Sequence, residues 1–125
     1  FLIVNANYYK EISEGLLNSA FNLLPNNSKI KIINVPGVFE IPVTISKNIN
    51  KFDAFIALGC VVKGQTPHFE LISKASTNAI MTLSITSKKP IGNGIITCLN
   101  MKQAKARKKK GAEAVNAILS VLSQK

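Results

Sequence analysis

Phe55-Ile56-Ala57-Leu58-Gly59-Cys60-Val61-Val62-Lys63-Gly64-Gln65-Thr66-Pro67-His68-Phe69-Glu70 is the stretch that decides how this chain is read. From Phe55 to Val62 every residue is apolar or small. A run without polar alternation suits a strand buried on both faces, as in a parallel sheet. Gly64 then signals a turn, Thr66 reads as an N-cap and Pro67 as the first helical residue. The stretch is therefore strand, turn, helix, and the chain's one histidine, His68, falls in the first helical turn. Backbone N–H groups there lack intrahelical partners and carry the positive end of the helix dipole. Such a terminus binds phosphate. It also disfavours an imidazolium, which leaves a ring placed there able to accept a proton.

The same alternation extends in both directions. Phe1 to Ala6 is a short apolar strand. Ile12, Leu16, Leu17, Ala20 and Leu24 recur at helical spacing, and Pro25-Asn26-Asn27 ends that helix. Lys29 to Val35 reads as a second strand, followed by the turn signal Pro36-Gly37. Glu40 to Asn50 reads as a helix, with Pro42 tolerable only in its first turn. His68 to about Ser84 is the next helix and Pro90 to Thr97 a fourth strand. Met101 to about Lys109 and Ala112 to about Leu122 close the chain as helices broken near Gly111. This β-α-β-α-β-α-β-α-α order predicts a three-layer α/β/α sandwich around a four-stranded, mostly parallel sheet, as one domain over residues 1–125.

Bulk properties narrow the function. The 125 residues, 46% hydrophobic, suit one domain with a real core. No run approaches the roughly 20 apolar residues of a membrane span. Phe1-Leu2-Ile3-Val4 is too short for a signal peptide and is followed by Asn5-Ala6-Asn7. The chain opens on Phe1 rather than Met, so further residues are expected before it. Cys60 and Cys98 form no C-x-x-C pair, and with one histidine they argue against a zinc site. They read as buried thiols of a cytoplasmic protein. The net charge is +10, but Arg107 is the only arginine. Lysines without interleaved aromatics, in a chain rich in Ile and Asn, read as a codon bias rather than a nucleic-acid surface. Neither nucleic acid nor a membrane is an expected partner.

Ligands of open parallel sheets bind at the carboxyl ends of the strands. Three turns lie there: Asn7-Tyr8-Tyr9, Pro36 to Glu40, and Gly64 to His68. Gly64, Gln65 and Thr66 offer N–H groups and a hydroxyl to an anion. His68 is a candidate acid or base, Glu40 a candidate acceptor for ligand hydroxyls, and Arg107 a planar fork for phosphate. Taken singly, each is as readily structural: a dipole partner, a rim residue, a solvated face. Convergence at one sheet end raises the functional reading.

The chain at this point resembles the 6,7-dimethyl-8-ribityllumazine synthase family. The residues that carry the resemblance are Val35-Pro36-Gly37-Val38-Phe39-Glu40-Ile41-Pro42, the stretch Ala57 to Glu70, Gly94-Ile95-Ile96-Thr97, Gln103-Ala104-x-x-Arg107 and Lys110-Gly111-Ala112-Glu113-Ala114. The resemblance implies a flavodoxin-like fold and a transferase of riboflavin biosynthesis. Such an enzyme condenses 5-amino-6-(D-ribitylamino)uracil with 3,4-dihydroxy-2-butanone 4-phosphate and releases phosphate, without a cofactor or metal. It implies that Tyr8 stacks on the pyrimidine, that Val38, Phe39 and Glu40 line the ring and ribityl site beside Val62, and that Gly64, Gln65 and Thr66 hold the phosphate. His68 transfers protons and Arg107 pairs with the phosphate, with Lys110 near the ribityl chain or phosphate. It further implies a homopentamer whose sites are shared, with Asn93, Arg107 and Lys110 supplied by the neighbouring chain. The absence of a leading strand-adding segment points to a pentamer rather than a larger shell.

The sequence also departs from the family pattern. Tyr8 replaces Phe or Trp, Tyr9 replaces Asn, Asn93 replaces Phe, and the connection from Arg107 to Gly111 is short. Two other readings share the fold: an archaeal-type riboflavin synthase, disfavoured by the P-G-x-F-E and G-x-T-x-H-F-E pair, and a flavin- or lumazine-binding protein without turnover.

Overall fold

A computed structural model describes residues 1–64 and 68–124. Strands β1 (Leu2–Ala6), β2 (Lys31–Val35), β3 (Phe55–Val62) and β4 (Ile91–Cys98) form one sheet in the order β2-β1-β3-β4. Every pairing is parallel, with Leu2 opposite both Lys31 and Phe55, and Phe55 opposite Ile91. The expected sheet is thus wholly parallel, with helices on both of its faces.

The two faces can be read from the alternation of side chains along the central strands. Ile3, Ile56, Leu58, Cys60, Ile96 and Cys98 pack with Ile12, Leu16 and Ala20 of α1 (Lys10–Leu23) and with Ala114, Val115 and Ile118 of α5 (Lys110–Leu122). Leu2, Val4, Phe55, Ala57 and Val61 pack on the other face with Ile41 and Ile45 of α2 (Ile41–Lys47) and Ile72 and Ile80 of α3 (His68–Ser87). β3 is buried on both sides for nearly its whole length, which is why its sequence carries no polar alternation.

Element ends follow local chemistry. α1 stops at Leu23; Leu24 is extended, the conformation imposed on a residue before proline. The helix expected from Glu40 to Asn50 is divided. Val38–Glu40 form a 3-10 turn, and α2 proper starts at Ile41 with Pro42 in its first turn, where a missing N–H is harmless. Gly59 admits this turn onto the sheet: a Cβ there would fall 2.7 Å from Val38 Cγ2.

The break expected near Gly111 lies instead at Arg107–Lys109, between α4 (Met101–Ala106) and α5. Gly111 is a buried helical residue, and its missing side chain serves packing. A Cβ there would collide with the Leu16 carbonyl and fall 2.6 Å from Ser19 Oγ. Glycine lets α5 approach the backbone of α1, so the residue that looks like a helix breaker is a helix contact.

Candidate active site

Three chain segments meet at the carboxyl ends of β1, β2 and β3. Tyr8 and Tyr9 follow β1, the turn Gly37–Glu40 follows β2, and Val61 and Val62 close β3. With Cys60, His68 and Ile72 they line a cleft of about 360 Å³. Tyr8 and Phe39 stand at its mouth, 74% and 72% exposed, free to cover a flat ring. Tyr8 meets Tyr9 edge to face, with centroids 4.9 Å apart and planes at 82°, which restrains the outer ring. Glu40, next to Phe39 in sequence, is half-buried and lines the same cleft. His68, the first residue of α3, is exposed on the cleft wall.

Burial first, then the neighbouring Cys60 and Tyr8, push the Tyr9 phenol up, so it remains a hydrogen-bond donor. Burial, then the adjacent Cys98 thiol, push the Cys60 thiol up to about 12. A thiol so held is inert. Alkylation of native Cys60 near pH 8 is expected to be roughly a thousandfold slower than that of a free cysteine, read by mass spectrometry against the unfolded chain. Comparable rates in both states would exclude this environment.

Asn93, Arg107 and Lys110 do not reach this cleft. With Thr97, Lys109 and Glu113 they line a second cleft, of about 520 Å³, along the outer edge of β4. β4 is an edge strand, and these side chains satisfy part of its edge. Asn93 Oδ1 accepts from the Ile95 N–H at 3.1 Å, and Arg107 Nη1 donates to the Thr97 carbonyl at 3.3 Å. Arg107 ends α4, whose start is capped by Asn100 accepting from the Gln103 N–H at 2.9 Å.

Of the residues singled out from sequence, Tyr8, Val38, Phe39, Glu40, Val62 and His68 share the first cleft, and Asn93, Arg107 and Lys110 share the second. Gly64 is exposed beyond β3 and lines neither, and among the described residues nothing lies within 4 Å of a Cβ built on it. Gln65 and Thr66, read as phosphate ligands and cap, lie outside the described residues. The sequence reading missed Cys60 and Ile72 in the first cleft and Thr97, Lys109 and Glu113 in the second. The polar Asn93 and Thr97 within an otherwise apolar strand were the available signal for the latter. Among the described residues no three His, Cys, Asp or Glu side chains gather as metal ligands, and no helix is long and apolar enough to cross a membrane.

Comparison with known proteins agrees with the geometry. Residues 1–125 match the family described as 6,7-dimethyl-8-ribityllumazine synthase. The 6,7-dimethyl-8-ribityllumazine synthase 1 of Rhodopseudomonas palustris is 42% identical, over 97% of this chain and 82% of the relative. The 6,7-dimethyl-8-ribityllumazine synthase of Bartonella bacilliformis is 45% identical over 88% of this chain and 76% of the relative, and that of Agrobacterium fabrum 38% identical over 99% and 93%. An all-parallel sheet, a cleft at its strand ends that holds the motif residues, and similarity across the whole chain agree: this chain belongs to the 6,7-dimethyl-8-ribityllumazine synthase family.

Proposed function

We propose that the chain is a transferase of riboflavin biosynthesis that makes 6,7-dimethyl-8-ribityllumazine from 5-amino-6-(D-ribitylamino)uracil and 3,4-dihydroxy-2-butanone 4-phosphate, releasing inorganic phosphate. The observation that carries this reading is the first cleft, where an exposed aromatic, a half-buried carboxylate and the only histidine converge. Tyr8 covers the pyrimidine, and Glu40 accepts hydrogen bonds from ribityl hydroxyls. Val38, Phe39 and Val62 supply the apolar wall.

The substrates bring their own reactivity. The pyrimidine's amine attacks the ketone carbon and water leaves, giving an imine. A proton then leaves the carbon between the imine and the phosphate-bearing carbon, and the C–O bond to phosphate breaks. Such steps need positioning and proton transfer more than a strong protein nucleophile. His68 moves the proton. Arg107, a planar fork, neutralises the departing phosphate.

In one chain His68 and Arg107 line different clefts. We therefore take the functional unit to be a homo-oligomer, a ring-shaped pentamer, in which the β4-edge cleft of one chain completes the strand-end cleft of the next. An open apolar groove between α2 and α3, lined by Phe39, Pro42, Val43, Ile72, Ala75 and Ala79, supports burial against another copy. Two free thiols fit a reducing compartment, the cytoplasm.

The direct test supplies both substrates and follows lumazine absorbance together with phosphate release. Product at no more than the uncatalysed rate would sink the reading; riboflavin binding without turnover would favour a storage role. Within the enzyme reading, His68→Ala is expected to lower kcat by roughly 10- to 100-fold, the lower part of the usual acid–base range, because the substrates are themselves reactive. An unchanged kcat removes His68 from the mechanism.

A further inference from the structure

A hydroxyl of α1 holds the short turn that carries Arg107. Ser19 Oγ donates to the Lys108 carbonyl at 2.9 Å and accepts from the Ala112 N–H at 3.1 Å. These two groups lie on either side of the start of α5, so a single side chain of α1 clamps the whole turn. The Leu16 carbonyl, 3.1 Å away, is the hydroxyl's nearer partner in sequence. Buried Gly111 brings the turn within reach of the clamp.

The clamp has a directional consequence. With its carbonyl held, Lys108 folds back along α1. Its stem fills the space over Gly15, where a Cβ would fall 2.8 Å from Lys108 Cγ, and its ammonium ends 3.4 Å from Glu11 Oε1. Arg107 before it and Lys109 and Lys110 after it line the β4-edge cleft instead. The Glu11–Lys108 pair is solvent-exposed and contributes little by itself. The hydroxyl, with two partners remote in sequence, is the stronger restraint.

We propose that Ser19, which lines neither cleft, is the positioning residue for the anion end of the site: it turns Lys108 away and aims Arg107 at the substrate phosphate. This rests on the reading of Arg107 as a phosphate ligand. A run of basic residues that looks like an undifferentiated solvated face is thereby sorted into one that braces and three that face the cleft.

The test compares Ser19→Ala, Arg107→Ala and Glu11→Gln in the full chain under steady-state turnover. Ser19→Ala is expected to raise KM for the butanone phosphate about five- to tenfold and to weaken inhibition by inorganic phosphate equally, with kcat and the KM for the pyrimidine within about twofold. Glu11→Gln should change both KM values less than about twofold. A merely structural serine would lower the melting temperature and the active fraction but leave KM unchanged. If Arg107→Ala raises the phosphate KM while Ser19→Ala does not, the positioning role is overturned and the reading of Arg107 survives. If neither variant moves that KM, both fall together. Should Ser19→Ala fail to fold, Ser19→Cys keeps the volume with a weaker hydrogen bond, and an unchanged phosphate KM in that variant overturns the proposal.

Discussion

Equal mixing of His68→Ala and Arg107→Ala chains, unfolded and reassembled together, is expected to restore about a quarter of the wild-type kcat/KM, because random assembly of the proposed head-to-tail ring gives that share of interfaces an intact His68 on one side and an intact Arg107 on the other. Each variant alone should be poor at subsaturating butanone phosphate, the first through kcat and the second through KM. The reason lies in the placement of the two groups. His68 opens α3 at the carboxyl end of β3, while Arg107 ends α4 beside the outer edge of β4. In the roles proposed for them, proton transfer and phosphate binding, the two serve one reaction only when they face one substrate. If each chain carried a complete site, mixing would yield the average of the two defective enzymes and no gain. Native mass spectrometry of the mixture checks that the assemblies contain both chains.

Gly111→Val is expected to cost about 3 kcal/mol of stability, in the range of overpacked cores, and to lower the melting temperature by about 10 °C. The obstacle is backbone, not a flexible side-chain end. A branched side chain at Gly111 would be driven into the Leu16 carbonyl and against Ser19 Oγ, and neither can retreat unless α1 and α5 separate. Separation would loosen Ala114, Val115 and Ile118 from the sheet. Gly64→Ala is the control: among the described residues nothing lies within 4 Å of a Cβ there, so a change within about 0.5 kcal/mol is expected. Thermal melts followed by circular dichroism read both. Equal stabilities in the two variants would show that the close approach of α5 to α1 is not needed.

These positions also mark where sequence was a good guide and where it was not. β3 has the bounds its composition implies, because an apolar run flanked by Asp53 and Lys63 leaves a strand nowhere else to begin or end. α2 is shorter than its pattern: Gly37 and Pro42 favour a tight 3-10 turn over Val38–Glu40, and tertiary contact with Gly59 fixes it. Gly111 misled because local propensity cannot distinguish a glycine that ends a helix from one that lets two helices touch. The first cleft was legible, since its residues follow consecutive strands and all strands point one way. Its separation from Arg107 was not a matter of local pattern. It follows from β4 lying at the sheet edge, a fact of topology that spacing along the chain does not encode. The role of Lys108 was equally hidden, because nothing in a run of three lysines says which one has Gly15 opposite it.

The sheet order has a kinetic consequence. β1 is an interior strand, paired with β2 on one side and β3 on the other, so Leu2 must find both Lys31 and Phe55. During synthesis, β1 and β2 can join as soon as the first helical crossover exists, but the other edge of β1 stays open until β3 has emerged. The β1–β3 pairing, Leu2 with Phe55, closes a longer loop than Leu2 with Lys31 before it gains contacts, which slows folding relative to a helical bundle of this size. The nascent chain therefore presents an unpaired apolar strand edge for a defined interval, and that interval, not the finished surface, is when the protein is most prone to aggregate.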